Sequence, residues 1–277
     1  MTKILVDSYN LIHRSRFNWG GGLADGENQI VYNFFKSLKP ILDTFSPERV
    51  YFILDGKPKK RLEMDSEYKG NRKLVDPTKE ELEYWQSFHK QKRIIIDSVK
   101  EFFPFITVYH PDHECDDILN YLATTLYGEK VIISSDTDFI QTLDLSDKVS
   151  LWNPIEKAYR QRMDVDYTSY KALVGDKTDN IPGVKGVGKV GAVKMLKDKS
   201  ILNAKLKNPV FKQEYDHSYN LVKFADLKEE KDTILFYNGI LDSDKIFNLF
   251  ESLNLKSMIN EKYFNSFINT LENIKDE

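Results

Sequence analysis

Apolar positions along the chain follow two rhythms. Lys3–Val6, Val50–Leu54, Ile106–Tyr109 and Val131–Ser134 are short, nearly continuous runs of Ile, Val, Leu, Phe and Tyr. Such runs predict strands buried on both faces, as in a parallel sheet. Between them the spacing changes to about 3.6 residues, the period of a helix. From Asn28 to Phe45, the residues Ile30, Val31, Phe34, Phe35, Leu38, Ile41, Leu42 and Phe45 share one helical face, with Pro40 placed to bend or divide it. From Asp116 to Leu126, Ile118, Leu119, Leu122, Ala123 and Leu126 do the same. Alternating strand and helix predict an α/β fold with a mostly parallel central sheet. Val149–Arg162 reads as a hairpin broken at Asn153-Pro154. After Tyr167 no strand alternation stands out, and the rest reads as helices. The expected organisation is an α/β core over residues 1–165 and a helical C-terminal region over 166–277.

Charge changes the picture in two places. The stretch from Gly56 to Gln91 has no strand pattern and is long for a connection, which marks functional segments. It opens with Lys57, Lys59, Lys60, Arg61, Lys69, Arg72 and Lys73 against Glu63, Asp65 and Glu67. Lys177, Lys185, Lys189, Lys194, Lys197 and Lys199 form a second concentration against Asp179 and Asp198. The formal net charge is −3, yet basic residues gathered in this way suit a polyanionic partner. A hydrophobic fraction of 41% is ample for a core and excludes a wholly disordered chain. The single cysteine, Cys115, allows no internal disulfide and fits a reducing intracellular compartment. The N-terminus resembles no signal peptide, and no apolar run reaches about 18 residues, so a soluble protein without a membrane partner is expected.

Acidic residues recur where the predicted strands end. Asp7 closes the first and Asp55 follows the second. Glu114, Asp116 and Asp117 follow the third, and Asp136 and Asp138 the fourth. In an open parallel sheet those ends lie along one edge, where ligands bind. Any one of these aspartates could instead cap a helix. Brought together, they would raise one another's pKa unless a cation intervened. Oxygen donors without histidine or cysteine partners point to Mg²⁺ or Mn²⁺ rather than zinc. The histidines His13, His89, His110, His113 and His217 show no zinc-ligand spacing, and His113 reads as a neighbour of the site, not a ligand. Asp136 and Asp138, two apart in extended chain, project to the same side.

The run from Gly175 to Lys189, GDKTDNIPGVKGVGK, carries the most specific signal. Gly183, Gly186 and Gly188 permit a tight turn with outward-facing amides. A helix starting near Lys189 aims its N-terminal amides, with Lys185 and Lys189, in the same direction. A plain helix–helix turn is the alternative, and the adjoining lysines and the pair Asp176 and Asp179 favour phosphate binding.

Taken in order, ILVDSYNLIHR, FILDG, EYKGNRK, ECDD, SSDTDF and GDKTDNIPGVKGVG, spread over residues 3–200, resemble the flap endonuclease and 5′-3′ exonuclease family. The nearest type is the stand-alone bacteriophage enzyme known as phage ribonuclease H. The resemblance implies a PIN-like nuclease core, a basic arch or clamp over residues 56–100, and a helix-hairpin-helix-type motif over residues 170–200. It implies that Asp7, Asp55, Glu114 and Asp116 surround one metal and that Asp136, Asp138, Asp176 and Asp179 surround a second, with Asp117 within reach. It places Tyr68, Lys69 and Arg72 in the arch, with Lys69 and Arg72 approaching the scissile phosphate. It gives Gly183, Lys185, Gly186, Gly188 and Lys189 to a turn that grips duplex DNA and can hold K⁺ on its carbonyls. Cys115 stands where many relatives have alanine.

The activity so implied is two-metal hydrolysis of phosphodiester bonds in DNA with 5′ ends or flaps, or in an RNA–DNA hybrid, leaving a 5′-phosphate. The setting implied is replication and repair in a cytoplasm, the host's if the chain is phage-encoded, near a single-strand-binding protein or clamp. No polymerase-like extension follows, which fits the stand-alone type. A PIN-type ribonuclease for single-stranded RNA would share the acidic edge but lack the glycine-rich turn. A non-catalytic DNA-binding factor would lack metal ligands, and none is missing.

Overall fold

The computed structural model describes residues 2–18, 22–24, 26–72 and 75–275; Lys73 of the basic run lies outside them. The chain opens with β1 (Thr2–Asp7), α1 (Ser8–Arg14), α2 (Gln29–Phe45) and β2 (Arg49–Ile53). The basic segment follows as α3 (Lys59–Met64), a 3₁₀ turn at Gly70–Arg72 and α4 (Lys79–Phe102). Then come β3 (Ile106–Tyr109), α5 (Cys115–Thr125), β4 (Glu129–Ile133), α6 (Ile140–Leu143) and the hairpin of β5 (Val149–Asn153) and β6 (Ala158–Arg160). The remainder holds α7 (Tyr167–Val174), α8 (Lys189–Lys197), α9 (Lys199–Lys205), α10 (Pro209–Val222), β7 (Leu235–Asn238), α11 (Ser243–Ser252) and α12 (Glu261–Glu272). Among the described residues, no helix is long and apolar enough to cross a membrane.

All strands join one sheet in the order β6-β5-β4-β1-β2-β3-β7, parallel from β5 to β3 and antiparallel at both edges. The two-residue period of a strand divides the core. Ile4, Val6, Val50, Phe52, Val131 and Ile133 face a layer built from α2, α4, α11 and α12. Leu5, Tyr51, Ile53 and Ile132 face α5 and the segment around Phe224 and Leu227. The chain leaves β1 in one direction through β2 and β3, then returns to β4 on the other side of β1. That reversal opens a crevice at the C-terminal ends of β1 and β4.

Several expectations are redrawn. Pro40 sits inside α2 without dividing it; its ring is exposed, so water can satisfy the carbonyl left without an amide. Residues 56–100 do not form one insertion, because α4 is anchored in the core through Phe88, Ile95 and Val99. A capping box between Thr78 and Glu81 starts that helix and ends the irregular part. After Tyr167 the chain does contain a strand. β7 is four residues long and exposed, so it carries no alternation, and its pairing with β3 is a tertiary event. The last helices also belong to the core: Ile246, Phe250, Phe267 and Leu271 are buried against α2 and α4.

Candidate metal centre and nucleic-acid interface

Each predicted acidic position is set by the strand or turn that carries it. Asp7 is the last residue of β1; it accepts from the Asn10 amide (3.0 Å) and from Ser134 Oγ (2.7 Å), which lies just past β4 across the crevice. Asn10 Oδ1 in turn accepts from the amide (3.1 Å) and hydroxyl (3.0 Å) of Ser135, fastening the two strand ends together. Asp55 accepts from the Cys115 amide (2.7 Å), at the start of α5. Gly56 follows because a Cβ there would lie 1.9 Å from the His110 carbonyl. The Gly56 amide donates to the His113 carbonyl (2.9 Å), so the β2 and β3 exits are closely apposed. Asp136 accepts from the Asp138 amide (2.8 Å), a local turn that arrays both carboxylates at the β4 exit.

The crowding carries an electrostatic cost. Burial, with further opposition from Asp136 and Asp55, pushes Asp7 up to about 7. Burial and then Asp7 and Asp136 raise Asp116 well above the usual carboxylate range. Asp55 is raised by burial and Glu114, and Asp138 is pushed up to about 6 by burial and Asp136. Such an edge calls for cations, and two lysines partly supply them. Lys69 Nζ lies 2.5 Å from Glu114 and 3.5 Å from Asp179. Lys171 Nζ, which the sequence reading missed, lies 2.8 Å from Asp138 and also pairs with Asp176. Its only signal was its place on α7, just ahead of the GDKTDN run.

The two basic motifs dock on each other. The Lys69 amide donates to the Asp179 carbonyl (2.9 Å), Asn71 Nδ2 to the Lys177 carbonyl (2.7 Å) and Asn180 Nδ2 to the Glu67 carbonyl (2.8 Å), while Arg72 pairs with Asp179. The YKGNR segment is thus closed over the strand ends. Asp179 faces Glu114 through Tyr68 and Lys69. Tyr68, expected toward nucleic acid, is buried, with its hydroxyl 3.1 Å from Glu114 Oε2 and 3.4 Å from Asp179 Oδ2. Asp117 is brought beside Glu114, but Arg61 holds both of its oxygens.

In the glycine-rich turn, Gly183 and Gly186 take positive φ (71° and 79°), whereas Gly188 does not (φ −95°). No side chain caps α8, and Lys189 and Val190 at its start are exposed. The Lys185 amide is committed to Glu214 (3.1 Å), so it is not among the outward-facing donors.

Histidines meet where no zinc spacing was visible. His110, His113 and Glu230 bring ligand atoms within 4.8 Å of one another. Hydrogen bonds already use these atoms. His110 Nδ1 accepts the Asp112 amide (3.1 Å), so Nε2 carries the proton and donates to Thr233 (2.7 Å); His113 Nε2 meets Glu230 at 2.9 Å. This group braces the β3–α5 connection.

Comparison with known proteins agrees with this architecture. The model of the 5′-3′ exonuclease N-terminal resolvase-like domain matches residues 2–173, and that of the 5′-3′ exonuclease C-terminal SAM fold matches residues 164–241. Thermostable DNA polymerase I of Thermus thermophilus is 33% identical over 220 residues, 74% of this chain and 25% of the relative. The chain therefore spans about a quarter of that polymerase's length. A 5′-3′ exonuclease of Aquifex aeolicus is 29% identical over 255 residues, covering 83% of this chain and 84% of the relative. Among solved structures, the T5 D15 protein co-crystallised with metal ions superposes over all of both chains, with a TM-score of 0.68 and 21% identity. A bacteriophage T5 D15 flap endonuclease variant in a pseudo-enzyme-product complex with DNA and metal ions gives 0.66 at 22% identity, over 98% of this chain and all of that one.

Proposed function

Since the chain belongs to the 5′-3′ exonuclease family, matched across both of that family's domains in order, we propose that it is a divalent-metal-dependent 5′ nuclease that hydrolyses phosphodiester bonds near a 5′ end or flap. The observation that carries the proposal is the crowd of carboxylates on four neighbouring strand exits, Asp7 and Glu114 buried, Asp55, Asp116 and Asp138 half-buried and Asp136 exposed, several with raised pKa, closed over by Lys69 and Arg72. All-oxygen donors fit Mg²⁺, with Mn²⁺ as a substitute. Asp7, Asp55, Glu114 and Asp116 would hold one ion, and Asp136, Asp138, Asp176 and Asp179 a second. Bound there, the ions supply Lewis acidity toward the attacking water and the leaving oxygen.

The chain's own residues do the rest. Ser134 and the Asn10 amide orient Asp7, and the Cys115 amide orients Asp55. Lys69 and Arg72 offer positive charge where phosphoryl oxygens gain negative charge, a contribution realised most strongly in the transition state. The turn from Gly183 to Lys189 presents α8's free amides to a duplex phosphate. Potassium on the carbonyls of that turn, an RNA primer on DNA as a second substrate, and single-strand-binding protein or clamp partners in replication belong to the same reading and rest on the family alone.

The test is incubation with Mg²⁺ of an end-labelled 5′-flap DNA beside a labelled single-stranded RNA. Cleavage near the flap junction, leaving a 5′-phosphate and abolished by EDTA, is expected. Preferred cutting of the RNA would replace this reading with a single-strand ribonuclease.

A further inference from the structure

Arg61 lies in the basic run that the sequence points toward a polyanion, yet its side chain is buried. Each of its five N–H groups is engaged. Nε donates to the Leu221 carbonyl (2.9 Å), and Nη2 to the Lys223 carbonyl (3.0 Å) and Asp117 Oδ1 (2.8 Å). Nη1 donates to Asp117 Oδ2 (2.7 Å) and Glu114 Oε2 (3.0 Å). No donor remains for nucleic acid. The guanidinium instead ties together α3, the start of α5 and the end of α10.

Asp117 is equally committed. Oδ1 also accepts the Ala225 amide (2.8 Å), and Oδ2, bonded to Arg61, has the His113 ring nitrogen 3.7 Å away, so both oxygens face protein groups. Glu114 differs. Its Oε2 is held by Arg61 and the Tyr68 hydroxyl, while Oε1 pairs with Lys69 of the YKGNR segment. It precedes α5 without capping it, so no amide of the helix competes for its carboxylate. A planar two-pronged donor fixes a carboxylate's orientation in a way an ammonium cannot.

We infer that Arg61 is a positioning residue: anchored by Asp117 and the last carbonyls of α10, it sets the Glu114 carboxylate for a divalent ion, and Asp117 serves Arg61 rather than the ion. The inference rests on the carboxylate metal centre proposed above. Because α10 packs beside α7, which carries Lys171, the same guanidinium holds the helical region and Glu114 in one frame.

The experiment is a Mn²⁺ titration of the full chain without nucleic acid, read by electron paramagnetic resonance. It is paired with duplex binding in Ca²⁺ and single-turnover cleavage across Mg²⁺ concentrations. Two variants avoid a lone buried charge: Arg61→Lys keeps the charge and loses the fork, and Arg61→Met with Asp117→Leu removes a neutral pair. Each should bind as many Mn²⁺ ions as wild type, with one ion about tenfold weaker, the usual effect of losing a residue that orients a ligand. Cleavage should fall about tenfold at low Mg²⁺ and recover at high Mg²⁺, with duplex affinity unchanged. Weaker duplex binding with unaltered Mn²⁺ affinity would make Arg61 a substrate-binding residue and overturn the inference. One ion fewer in the double variant would make Asp117 a ligand and overturn it as well. Glu114→Gln separates the two levels: if it binds Mn²⁺ like wild type, the metal centre itself is misassigned at Glu114.

Discussion

The proposed function gives the chemistry to individual side chains at the strand exits, and each can be interrogated alone. Asp7→Ala and Asp138→Ala should each reduce cleavage by at least about 100-fold while duplex binding stays measurable, because each carboxylate would hold one of the two ions whose charge acts at the reacting phosphate. A near-normal rate for either in Mg²⁺ removes that residue from the centre. Lys69→Ala should slow single-turnover cleavage far more than it weakens binding, since Lys69 is held inside the cluster by Glu114 and Asp179. Equal losses would make it a docking residue. Titration offers an independent check. In the folded chain Asp7 is pushed up to about 7 from 3.8, burial being the largest cause. A raised folded pKa gives stability that is fully present below the unfolded value and is lost as pH rises through the folded one. In EDTA, Asp7→Asn should therefore raise the melting temperature relative to wild type more at pH 8 than at pH 5, and Mg²⁺ should shrink the difference. A pH-independent difference would mean that Asp7 ionises normally. The acidic positions were legible in the sequence because strand ends in a parallel sheet fall on one edge. Lys171, Arg61 and Ser134 were not, because only the fold brings them to those carboxylates.

Among the elements, the glycine-rich turn separates backbone need from ligand need. A Cβ on Gly183 would lie 2.5 Å from the Gly175 amide nitrogen, at a φ of 71°. Gly183→Ala should cost about 1–3 kcal/mol and weaken duplex binding by deforming the turn. Gly188 has ordinary φ, and a Cβ added there would meet open space. Gly188→Ala should therefore leave stability within about 0.5 kcal/mol. If phosphate approaches there, it should lower duplex affinity and flatten its dependence on salt by roughly 1 in log–log slope per lost contact. Salt titrations on both variants, with urea unfolding alongside, check this. An unchanged slope and affinity for Gly188→Ala would leave the turn a structural link. Helical periodicity identified α2 and α5 in advance, since each buries one clean face. It did not identify α4 as a core helix: its buried face mixes Gln91 and Ser98 with Phe88, Ile95 and Val99, and a long basic run precedes it.

For the whole molecule, the last helices are a structural part of the α/β core. Phe250 is fully buried, with its ring 5.2 Å from Phe35 and 6.2 Å from Phe267. Phe250→Ala should cost about 3–5 kcal/mol by urea unfolding, through lost burial and the cavity left behind. A loss below about 1 kcal/mol would mean that α11 is only loosely attached. The same layer holds α2 and α4 against the sheet face opposite α5, so softening it should loosen the β1 and β2 exits that present Asp7 and Asp55.

What the sequence determined by itself is local and periodic. The continuous apolar runs of β1, β2 and β4, the 3.6-residue faces of α2 and α5, the acidic residues at the strand ends, and the order of the motifs all follow from neighbours along the chain. What tertiary structure decided is pairing between distant segments. It closed the YKGNR segment on the GDKTDN loop, turned Asp179 toward Glu114, and set Lys171 between Asp138 and Asp176. It also added β7 to the edge of β3 and buried Arg61 against Asp117. A charged side chain reads the same in sequence whether it meets solvent, a phosphate or a buried carboxylate. Only the fold, by excluding water from one face and supplying a partner on it, distinguishes them.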